Sequence, residues 1–482
     1  MSNSLKKLLT KYKYIEQNSA NVKKGSIFLA YPGEKNDGRN YIEEAIKNGA
    51  GAIIYDPLGF KWKNHWDLPK VAVKNLKDHV SNIASEFFNH PSQKLNLVGV
   101  TGTNGKTSSV YWITQCLNHL KRKASMIGTI GYGFIEKLEP TDNTTPDALK
   151  IQSIINSFGI DQVQDVCIEV SSHGIKQARV SGIDFNVRLF TNLSRDHLDY
   201  HKSITSYANI KKEFLLNASE GNLVINIDDP VGQKIYQESK LGESQKISFG
   251  INNKCKLQAK NIIVENKRIK FDLIYGEKNI SVIASVTGKY NIYNILGVVG
   301  VLISLGHQIE SIIPILKILN PVPGRAEFLE LGLDKCPRVV IDFAHTPDAL
   351  KNVLESLQSS KYKNLNIVFG CGGGRDKGKR KEMAAIVNRY VDFVIITSDN
   401  PRDEEPKRII DDICKHVTIS KIAIEDREEA IKEVLKKSNI DDLILIAGKG
   451  HEAYQEIKGV RKSFSDKLIA KKYATRYFGV NS

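Results

Sequence analysis

Residues 95–120 read LNLVGVTGTNGKTSSVYWITQCLNHL and combine three local patterns in one stretch. The opening LNLVGV is apolar and partly β-branched, which predicts a buried strand. The TGTNGKT that follows is rich in glycine and threonine, as is typical of a loop. From Ser108 to Leu120, apolar residues such as Val110, Ile113 and Leu117 recur at helical spacing. The stretch therefore predicts strand, loop and helix, the repeating unit of an α/β fold.

The loop at 101–107 has the residue types that a nucleoside triphosphate requires. Its glycines let backbone N–H groups approach phosphates, Lys106 suits the β- and γ-phosphate oxygens, and the Thr107 hydroxyl suits magnesium. The helix N-terminus behind the loop adds a favourable dipole. The spacing departs from the strict phosphate loop, since Val100 stands where the first glycine is expected. An ordinary glycine-rich turn is the alternative, but the position between a strand and a helix favours the nucleotide site.

Strand and helix patterns alternate on both sides of this unit. Further strands are predicted at 165–170, 187–193 and 222–228, so we expect residues 91–321 to form a central domain with a parallel sheet. After the PVPGR turn at 321–325 the alternation restarts and predicts a Rossmann-like C-terminal domain, 322–482. Before Pro91, two strand patterns enclose a helix predicted from Tyr41 to Asn48, which indicates a small N-terminal α/β domain, 1–90. The predicted fold class is therefore α/β with three domains.

The composition excludes several classes of protein. The chain has 482 residues, 41% of them hydrophobic, and a net charge of +15, so neither a disulfide scaffold nor a wholly disordered chain is expected. Its six cysteines show no CxxC pair, which predicts free thiols rather than a zinc ribbon. No signal peptide and no apolar run long enough to span a membrane is evident, so we expect a cytoplasmic protein without membrane insertion. The dispersed lysines favour small anionic substrates over nucleic acid.

Five short stretches resemble the motifs of the Mur ligase family, in that family's order. They are TGTNGKT (101–107), EVSSHG (169–174), NLSRDHLDYH (192–201), DFAHTPDAL (342–350) and SDNPR (398–402). The resemblance extends from GSIFLAYPG near the N-terminus to AGKGHE at 447–452. It implies ATP-dependent amide formation through an acyl phosphate, in the synthesis of a peptidoglycan precursor. The N-terminal, central and C-terminal domains would then bind the UDP-linked substrate, ATP and the amino acid, respectively.

The resemblance also implies which residues bind ATP and metal. Mg²⁺ is the implied cofactor, with Thr107, Glu169, His197 and a carbamylated Lys211 as ligands, and Lys106, Glu169, His197 and Lys211 as the catalytic set. The implied ATP contacts are Gly102, Thr103, Asn104, Gly105, Lys106, Thr107, Ser108, Asn291, Asn294, Arg325, Asp342 and His345. Taken alone, Glu169 would more often be a helix cap or surface carboxylate, His197 a loop histidine, and Lys211 or Lys212 a solvated lysine.

For the UDP-muramoyl dipeptide the resemblance implies Ser19, Asn143, Thr144, Thr145, Ser171, Gln177 and Arg179. These side chains supply hydroxyl and amide hydrogen bonds and one guanidinium, which suit carboxylates. Turn formation and helix capping are the alternative roles for such residues. The chain reads Asn18-Ser19-Ala20 where the family usually has Asp-Ser-Arg, so the charged neighbours of Ser19 are missing.

For the incoming amino acid, the DNPR stretch resembles that of family members that add meso-diaminopimelate. The implied contacts are Arg375, Asp399, Asn400, Pro401, Arg402, Gly448 and Glu452. Diaminopimelate has one carboxylate more than lysine, which the Arg402 guanidinium would bind, and Glu452 would hold the distal ammonium. The alternative is that Arg402 pairs with its acidic neighbours Asp403, Glu404 and Glu405 on the surface.

Four other functions stay open at this point. A lysine-adding or a folylpolyglutamate-type ligase shares the loop and the amide chemistry. The DNPR stretch and the muramoyl-side residues argue against both of these ligases. A catalytically inactive nucleotide-binding regulator would have lost metal or acceptor residues, and Glu169, His197, Lys211, Arg375 and Arg402 are all present. A nucleic-acid ATPase is supported by charge alone. We expect a monomer that acts on small molecules.

Overall fold

The computed structural model describes residues 2–34, 36–217, 220–265, 268–333, 335–358 and 360–479. These residues form three α/β regions in chain order, built on sheets of four, eleven and six strands, and a separate two-stranded hairpin. The three-region α/β architecture predicted from the sequence is therefore confirmed. Across the described residues no helix is long and apolar enough to cross a membrane. All six cysteines are free, as predicted.

The N-terminal region is a small parallel sheet with helices against it. Its strands pair in chain order and are β1 (Tyr14–Glu16), β2 (Ser26–Ala30), β3 (Ala50–Tyr55) and β4 (Lys70–Ala72). Its helices are α1 (Asn3–Lys11), α2 (Ile42–Lys47) and α3 (Leu76–Phe87). The predicted helix from Tyr41 to Asn48 is confirmed as α2, one residue shorter at each end.

The central region is built on the eleven-stranded sheet. Its strands are β5 (Asn96–Thr101), β6 (Ala124–Gly128), β7 (Gly131–Phe134), β8 (Lys137–Glu139), β9 (Asp165–Glu169), β10 (Val187–Phe190), β11 (Asn222–Asn226), β12 (Lys246–Gly250), β13 (Leu257–Glu265), β14 (Arg268–Tyr275) and β15 (Lys278–Ala284). Its helices are α4 (Lys106–His119), α5 (Ala148–Ile160), α6 (Ser172–Lys176), α7 (Leu198–His201), α8 (Ile204–Leu216), α9 (Pro230–Glu238), α10 (Asn291–Ser304) and α11 (Ile309–Leu316). The strand, loop and helix predicted at 95–120 are confirmed as β5, the phosphate loop and α4.

The prediction of a parallel central sheet is correct only for its middle. The sheet order is β15-β14-β13-β12-β11-β10-β5-β9-β6-β7-β8, and pairing is parallel from β13 to β6. At both ends the pairing is antiparallel. The reason is connection length, because strands joined by turns of a few residues pair only as hairpins. Gly276, with φ +60°, opens the two-residue turn between β14 and β15.

The C-terminal region is a six-stranded sheet in the order β16-β17-β21-β18-β19-β20, parallel except at β16. Its strands are β16 (Glu327–Phe328), β17 (Arg338–Asp342), β18 (Leu365–Phe369), β19 (Phe393–Ile396), β20 (Ser420–Ala423) and β21 (Leu443–Ala447), followed by the hairpin β22 (Tyr454–Ile457) and β23 (Val460–Ser463). Its helices are α12 (Pro347–Leu357), α13 (Gly378–Tyr390), α14 (Pro406–Cys414), α15 (Arg427–Lys437) and α16 (Asp466–Phe478). The predicted alternation after residue 325 is confirmed.

Strand β5 has helices packed on both faces. Val98 and Val100 are fully buried in one core cluster, whereas Leu97 is fully buried in another. A strand buried on both faces is apolar at successive positions rather than alternately, which is why LNLVGV lacks a polar face. Parallel strands also align their carboxyl ends, so the loops after β5, β9 and β10 meet at one edge of the sheet. The predicted domain limits at residues 90 and 321 stay predictions.

Candidate active site

One cavity of about 1040 Å³ lies between the carboxyl edges of the central and C-terminal sheets. Most of the residues predicted for ATP, metal and amino acid line it, together with two of those predicted for the muramoyl dipeptide, Asn143 and Thr144. They are Thr103 to Ser108, Asn143, Thr144, Glu169, His197, Asn291, Asn294, Arg325, Asp342, His345, Arg375, Asp399, Asn400, Arg402, Gly448 and Glu452. The predicted residues outside its lining are Ser19, Gly102, Thr145, Ser171, Gln177, Arg179, Lys211 and Pro401.

The phosphate loop is shaped by two close approaches that only glycine permits. Gly102 has φ +151°, and a Cβ there would lie 1.9 Å from Oγ1 of Thr191. Gly105 has φ +85°, and its Cβ would lie 2.2 Å from Oδ1 of Asn294. Lys106 Nζ donates to the carbonyl oxygens of Gly102 (2.9 Å) and Thr103 (2.8 Å). The backbone of the loop therefore binds the ammonium group of its own lysine. Burial lowers the pKa of Lys106 from its ordinary value.

Glu169 is a fully buried carboxylate at the end of β9. It accepts hydrogen bonds from the Thr107 hydroxyl (3.0 Å), the Thr129 amide (2.8 Å) and the Thr129 hydroxyl (3.0 Å). The cap of α6 is instead Ser171, which accepts from the Gly174 amide. The roles of surface carboxylate and helix cap are therefore wrong for Glu169. Its oxygens lie beside the hydroxyl that closes the phosphate loop.

His197 caps α7 in the left-handed conformation, with φ +55°. Its Nε2 lies 3.3 Å from Oδ2 of Asp196, and its ring centroid lies 4.9 Å from that of His173. Burial lowers the pKa of His197 to about 3, although Asp196 opposes this shift. The imidazole is therefore neutral near pH 7, which is the form that binds metal ions.

Lys211 lies on α8 and is 1% exposed. Its Nζ donates to the carbonyl oxygen of Gly102 (2.9 Å) and lies 4.7 Å from the centre of the Tyr207 ring. Burial, together with the nearby cation of Lys106, sets the pKa of Lys211 well below its ordinary value. The alternative of a solvated lysine fits its neighbour Lys212, which is partly exposed and pairs with Glu238.

The donor set beside the phosphate loop suits a hard cation. The Thr107 hydroxyl and the Glu169 carboxylate are oxygen donors in contact with each other. Magnesium is commonly bound by one or two carboxylates, with water and substrate phosphates completing the octahedron. In the part of the chain that the structure describes, no three His, Cys, Asp or Glu side chains are grouped as a metal cluster. The residues therefore fit a magnesium ion that also binds a nucleotide's phosphates.

Arg325 connects the C-terminal side of the cavity with the phosphate loop. Its guanidinium donates to the Thr107 hydroxyl (3.0 Å) and lies 4.3 Å from the Phe343 ring centre. Asp342, at the end of β17, accepts from the Ala326 and Ala344 amides, both at 2.6 Å, while burial raises its pKa.

The other predicted ATP residues also make contacts within the protein. On α10, Asn294 donates to the Asn291 side chain at 2.7 Å. His345 donates to the Phe343 carbonyl oxygen at 2.9 Å, and its Nε2 lies 3.9 Å from Oδ2 of Asp196. Asn104 of the phosphate loop donates to Asp348 on α12 at 2.8 Å. The central and C-terminal regions are therefore in direct contact around the cavity.

Four of the residues predicted for the muramoyl dipeptide, Thr145, Ser171, Gln177 and Arg179, form one hydrogen-bonded network. The Thr145 hydroxyl donates to the Glu169 carbonyl oxygen (2.7 Å) and contacts the Ser171 hydroxyl (3.1 Å). Arg179 donates to the Thr145 carbonyl oxygen (2.6 Å) and to Oε1 of Gln177 (2.9 and 2.5 Å). Thr144 contacts the Thr129 hydroxyl at 3.0 Å, and Asn143 is exposed. Of the alternative roles, helix capping applies to Ser171, which caps α6.

Ser19 lies apart from this network, in the N-terminal region. Its buried hydroxyl donates to Oε2 of Glu44 at 2.9 Å, and Asn18 caps the short helix at 19–21. Another residue of this region, Glu34, contacts the central region, because its Oε1 accepts from Gln177 (2.7 Å) and Tyr200 (3.1 Å). The N-terminal region thus adjoins the muramoyl-side network through Glu34.

The loops after β19 and β21 form a buried cluster of charges at the C-terminal side. Asp399 is 8% exposed, its Oδ2 has no hydrogen-bond partner, and a Cβ on Gly448 would lie 2.4 Å from that oxygen. Lys449 is fully buried and donates to Oδ1 of Asn400 (3.0 Å) and to Oε2 of Glu452 (2.8 Å). One oxygen of Glu452, the predicted ammonium ligand, is therefore already bound to a lysine.

Arg402 occupies the left-handed region, with φ +52°, and lines the cavity. Its Nη1 donates to the Gly373 carbonyl oxygen (3.0 Å), and its Nε lies 3.5 Å from Glu456. The alternative of a surface cluster with its acidic neighbours is wrong, because Glu404 pairs with Arg380 at 2.7 Å. Protein partners at Nε and Nη1 leave Nη2 and the second hydrogen of Nη1 available to a carboxylate.

Sequence analysis missed several ionisable residues in or beside this cavity, of which Asp196 and His451 line it. Arg195, Asp196 and His173 belong to two of the quoted motifs, and Lys449 and His451 belong to AGKGHE. Their motif membership was the available signal, but their roles depend on partners distant in the chain. His451, for example, donates to the carbonyl oxygen of Thr129 at 3.2 Å.

Three parts of the chain match family models of known proteins. Residues 11–88 match the Mur ligase family catalytic domain, residues 100–302 the Mur ligase middle domain, and residues 324–450 the Mur ligase glutamate ligase domain.

Two curated relatives carry the name UDP-N-acetylmuramoyl-L-alanyl-D-glutamate–2,6-diaminopimelate ligase. The protein from Pseudomonas syringae pv. tomato is 40% identical, covering 93% of this chain and 92% of its own. The protein from Nitrosomonas europaea is 37% identical, covering 97% and 94%.

Solved structures of ligases are also similar to this chain. One with the same ligase name is 30% identical, with a TM-score of 0.67 over 96% of this chain and 95% of its own. The MurF ligase from Thermotoga maritima, solved in complex with ADP, is 21% identical, with a TM-score of 0.70 over 99% and 100% of the two chains. At that identity the second likeness shows the fold alone.

Proposed function

The chain belongs to the Mur ligase family, and on that premise we propose that it joins meso-diaminopimelate to UDP-N-acetylmuramoyl-L-alanyl-D-glutamate with ATP, in peptidoglycan precursor synthesis. One observation carries the proposal. The phosphate loop with its Thr107–Glu169 pair lines the same cavity as Arg402, Asn400 and Glu452, and the last two are held together by the buried Lys449. An ATP-dependent ligase needs a phosphate site and an amine site that open into one water-poor space.

The reaction would proceed in two steps. The glutamate carboxylate of the dipeptide attacks the γ-phosphorus of ATP, forms an acyl phosphate and releases ADP. The amino group of diaminopimelate then attacks the acyl carbon, phosphate leaves, and the amine loses a proton. Both steps bring anions together, so positioned cations such as Lys106 and Arg325 would lower the repulsion. The other proposed ATP contacts are Gly102 to Gly105, Thr107, Ser108, Asn291, Asn294, Asp342 and His345.

Mg²⁺ would be held by Thr107 and Glu169, with His197 and Lys211 as the further proposed ligands, and would neutralise charge on the transferring phosphate. As an ammonium, Lys211 would repel the ion. Its burial instead favours the neutral amine, which reacts with CO₂ and loses a proton to become a carbamate. ¹³C-bicarbonate labelling would test this, with a carbamate resonance expected from the wild type and none from Lys211→Arg. An unchanged spectrum in the variant would reject the assignment to Lys211.

The remaining substrate contacts follow the same division. Ser19 in the proposed UDP-binding domain (1–90), and Asn143, Thr144, Thr145, Ser171, Gln177 and Arg179 in the proposed central domain (91–321), would bind the UDP-muramoyl dipeptide. Arg375, Asp399, Asn400, Pro401, Arg402, Gly448 and Glu452 of the proposed C-terminal domain (322–482) would bind diaminopimelate, with the extra carboxylate on Arg402. We further propose that the protein acts in the cytoplasm as a monomer.

The decisive experiment measures phosphate release and product mass with Mg²⁺, ATP and the UDP-muramoyl dipeptide. Meso-diaminopimelate and L-lysine are compared in parallel, and a tripeptide product is expected with diaminopimelate alone. A lysine product alone would retain the ligase but overturn the carboxylate role of Arg402. No product with either would favour a folate-type substrate or a nucleotide-binding regulator.

A further inference from the structure

Two ion pairs cross between the central and C-terminal regions at neighbouring positions of the same loops. Arg195 of the loop after β10 binds Asp376 of the loop after β18. Arg375, the residue before Asp376, lies 3.5 Å from Asp199, which is on α7 of the central region. Each of the two regions therefore contributes one arginine and one aspartate to these pairs.

The Arg195–Asp376 pair is the better formed of the two. Nε of Arg195 donates to Oδ2 of Asp376 at 2.9 Å, and Nη2 donates to Oδ1 at 3.3 Å, which is a bidentate arrangement. The Asp376 side chain is 12% exposed, and the hydrogen bond from Arg195 is the main cause that lowers its pKa. The Gly378 amide also donates to Asp376 at 2.9 Å. A Cβ on Gly378 would lie 2.4 Å from Nη2 of Arg195, so a larger residue there would displace the guanidinium.

The pair lies between two groups with proposed roles on opposite sides of the cavity. Arg195 precedes Asp196 and His197, on the side of the phosphate loop, whereas Asp376 follows Arg375, on the amino-acid side. In the proposed reaction an acyl phosphate formed on one side is attacked by an amine held on the other. The relative position of these loops therefore sets the attack distance, to which the rate is sensitive.

We propose that Arg195 is a positioning residue, which binds Asp376 to hold the Arg375 loop against the His197 loop. It contacts neither substrate. Arg375 lines the cavity and holds Asp199 by one long contact, so it exchanges Asp199 for a substrate carboxylate while the Arg195 pair stays in place. This inference rests on the proposed function for the identity of the amino acid, but the geometry of the pair does not depend on it.

The kinetic test compares Arg195→Ala with a matched control, Glu382→Gln. Glu382 accepts one hydrogen bond from Arg195 at 3.0 Å and is 43% exposed, so its removal leaves the bidentate pair intact. Arg195→Ala is expected to raise KM for diaminopimelate about tenfold and to leave KM for ATP within about twofold, with an unchanged thermal midpoint. Equal kinetics in the two variants, or an equal loss for both substrates, would overturn the proposal.

Two further variants separate positioning from simple loss of charge. Arg195→Lys keeps the positive charge but loses the forked guanidinium that makes two hydrogen bonds. Compared with Arg195→Ala, it should restore only part of the affinity for diaminopimelate. The exchange of charges, Arg195→Asp with Asp376→Arg, should recover more of kcat/KM than either single variant. A double variant no better than the worse single one would count against a direct pair.

Small-angle X-ray scattering tests the pair without any substrate. Arg195→Glu places a carboxylate against Asp376, so a larger radius of gyration than that of the wild type and of Glu382→Gln is expected. An unchanged radius would overturn the positioning role. If the wild type fails to ligate diaminopimelate but the radius still increases, the substrate assignment is wrong and the positioning role stands.

Discussion

Lys211 and Lys449 are both almost fully buried, one beside the phosphate loop and the other beside the amino-acid loop, yet their surroundings differ in charge. Lys449 donates to Oε2 of Glu452 at 2.8 Å and to Asn400 at 3.0 Å. Lys211 donates to the carbonyl oxygen of Gly102 and packs on Tyr207, and no carboxylate of a described residue forms an ion pair with it. Burial without a counter-charge favours the neutral amine of Lys211.

The difference shows how one residue type serves two purposes. A paired cation such as Lys449 compensates buried carboxylates and fixes their orientation, so its value lies in the stability of the loop. An unpaired buried amine is a poor structural element but a better nucleophile toward CO₂. The phosphate side of the cavity would thus contain the lysine to be modified, and the amino-acid side the lysine that binds carboxylate and amide oxygens.

The largest effect is expected from Lys211→Arg, measured as kcat of ligation. Arginine keeps a positive charge and cannot form a carbamate, so the metal site would gain a repulsive cation, and kcat should fall by about 10³-fold. The matched control is Lys212→Arg, whose side chain is partly exposed and pairs with Glu238, and it should keep nearly full activity. Comparable losses in both variants would remove the distinction between the two lysines.

Next in size is Arg402→Leu, measured as KM for diaminopimelate. Loss of a charge-assisted bidentate contact should raise this KM about a hundredfold, with KM for ATP unchanged. Glu404→Gln is the control, because Glu404 pairs with Arg380 rather than with Arg402. A KM for diaminopimelate that does not change in Arg402→Leu would place the extra carboxylate elsewhere.

The comparison of the buried lysines also predicts unequal effects on stability. Lys449→Met leaves Glu452 and Asp399 without their compensating cation and should cost about 3 kcal/mol. Lys211→Met replaces an amine without a carboxylate partner and should change stability by about 1 kcal/mol or less. Thermal unfolding without nucleotide or metal measures both variants. Equal costs would mean that charge pairing does not distinguish the two sites.

Acid should weaken the segment that contains Lys449. Burial lowers the pKa of its neighbour His451 from 6.5 to about 4, and the cations of Arg325 and Lys449 act in the same direction, while the Thr129 carbonyl oxygen opposes them. Between these two values the unfolded chain binds more protons than the folded one, so stability falls as pH drops from 6.5 to 4. A loss of about 3 °C in the thermal midpoint is expected. His451→Gln should flatten this part of the pH profile, and an identical slope in the variant would refute the assignment.

The smallest effect is expected from Arg461→Ala. Arg461 and Asp142 also connect the two regions, at 2.9 Å, but their side chains are 44% and 85% exposed. Exposed pairs contribute little, so kcat/KM should change less than about twofold and the free energy of unfolding by less than about 0.5 kcal/mol. A larger change would mean that any bridge between the two regions matters, whatever its burial.

Local patterns along the chain were sufficient to predict much of this molecule. The unit at 95–120 and the alternation after residue 325 depend on apolar periodicity and turn residues within short windows, and both predictions are confirmed. The position of Thr107 and Glu169 at one cavity follows a general rule of α/β folds, since the carboxyl ends of neighbouring parallel strands share one edge of the sheet.

Other features depended on contacts between distant parts of the chain. Whether a buried lysine such as Lys211 or Lys449 has a carboxylate partner is decided by the tertiary fold, and no short window of sequence contains that information. The Arg195–Asp376 pair is of the same kind, since it joins residues far apart in sequence. The physical reason is that burial and Coulomb interactions depend on distance in space, whereas strand, helix and turn preferences depend on distance along the chain.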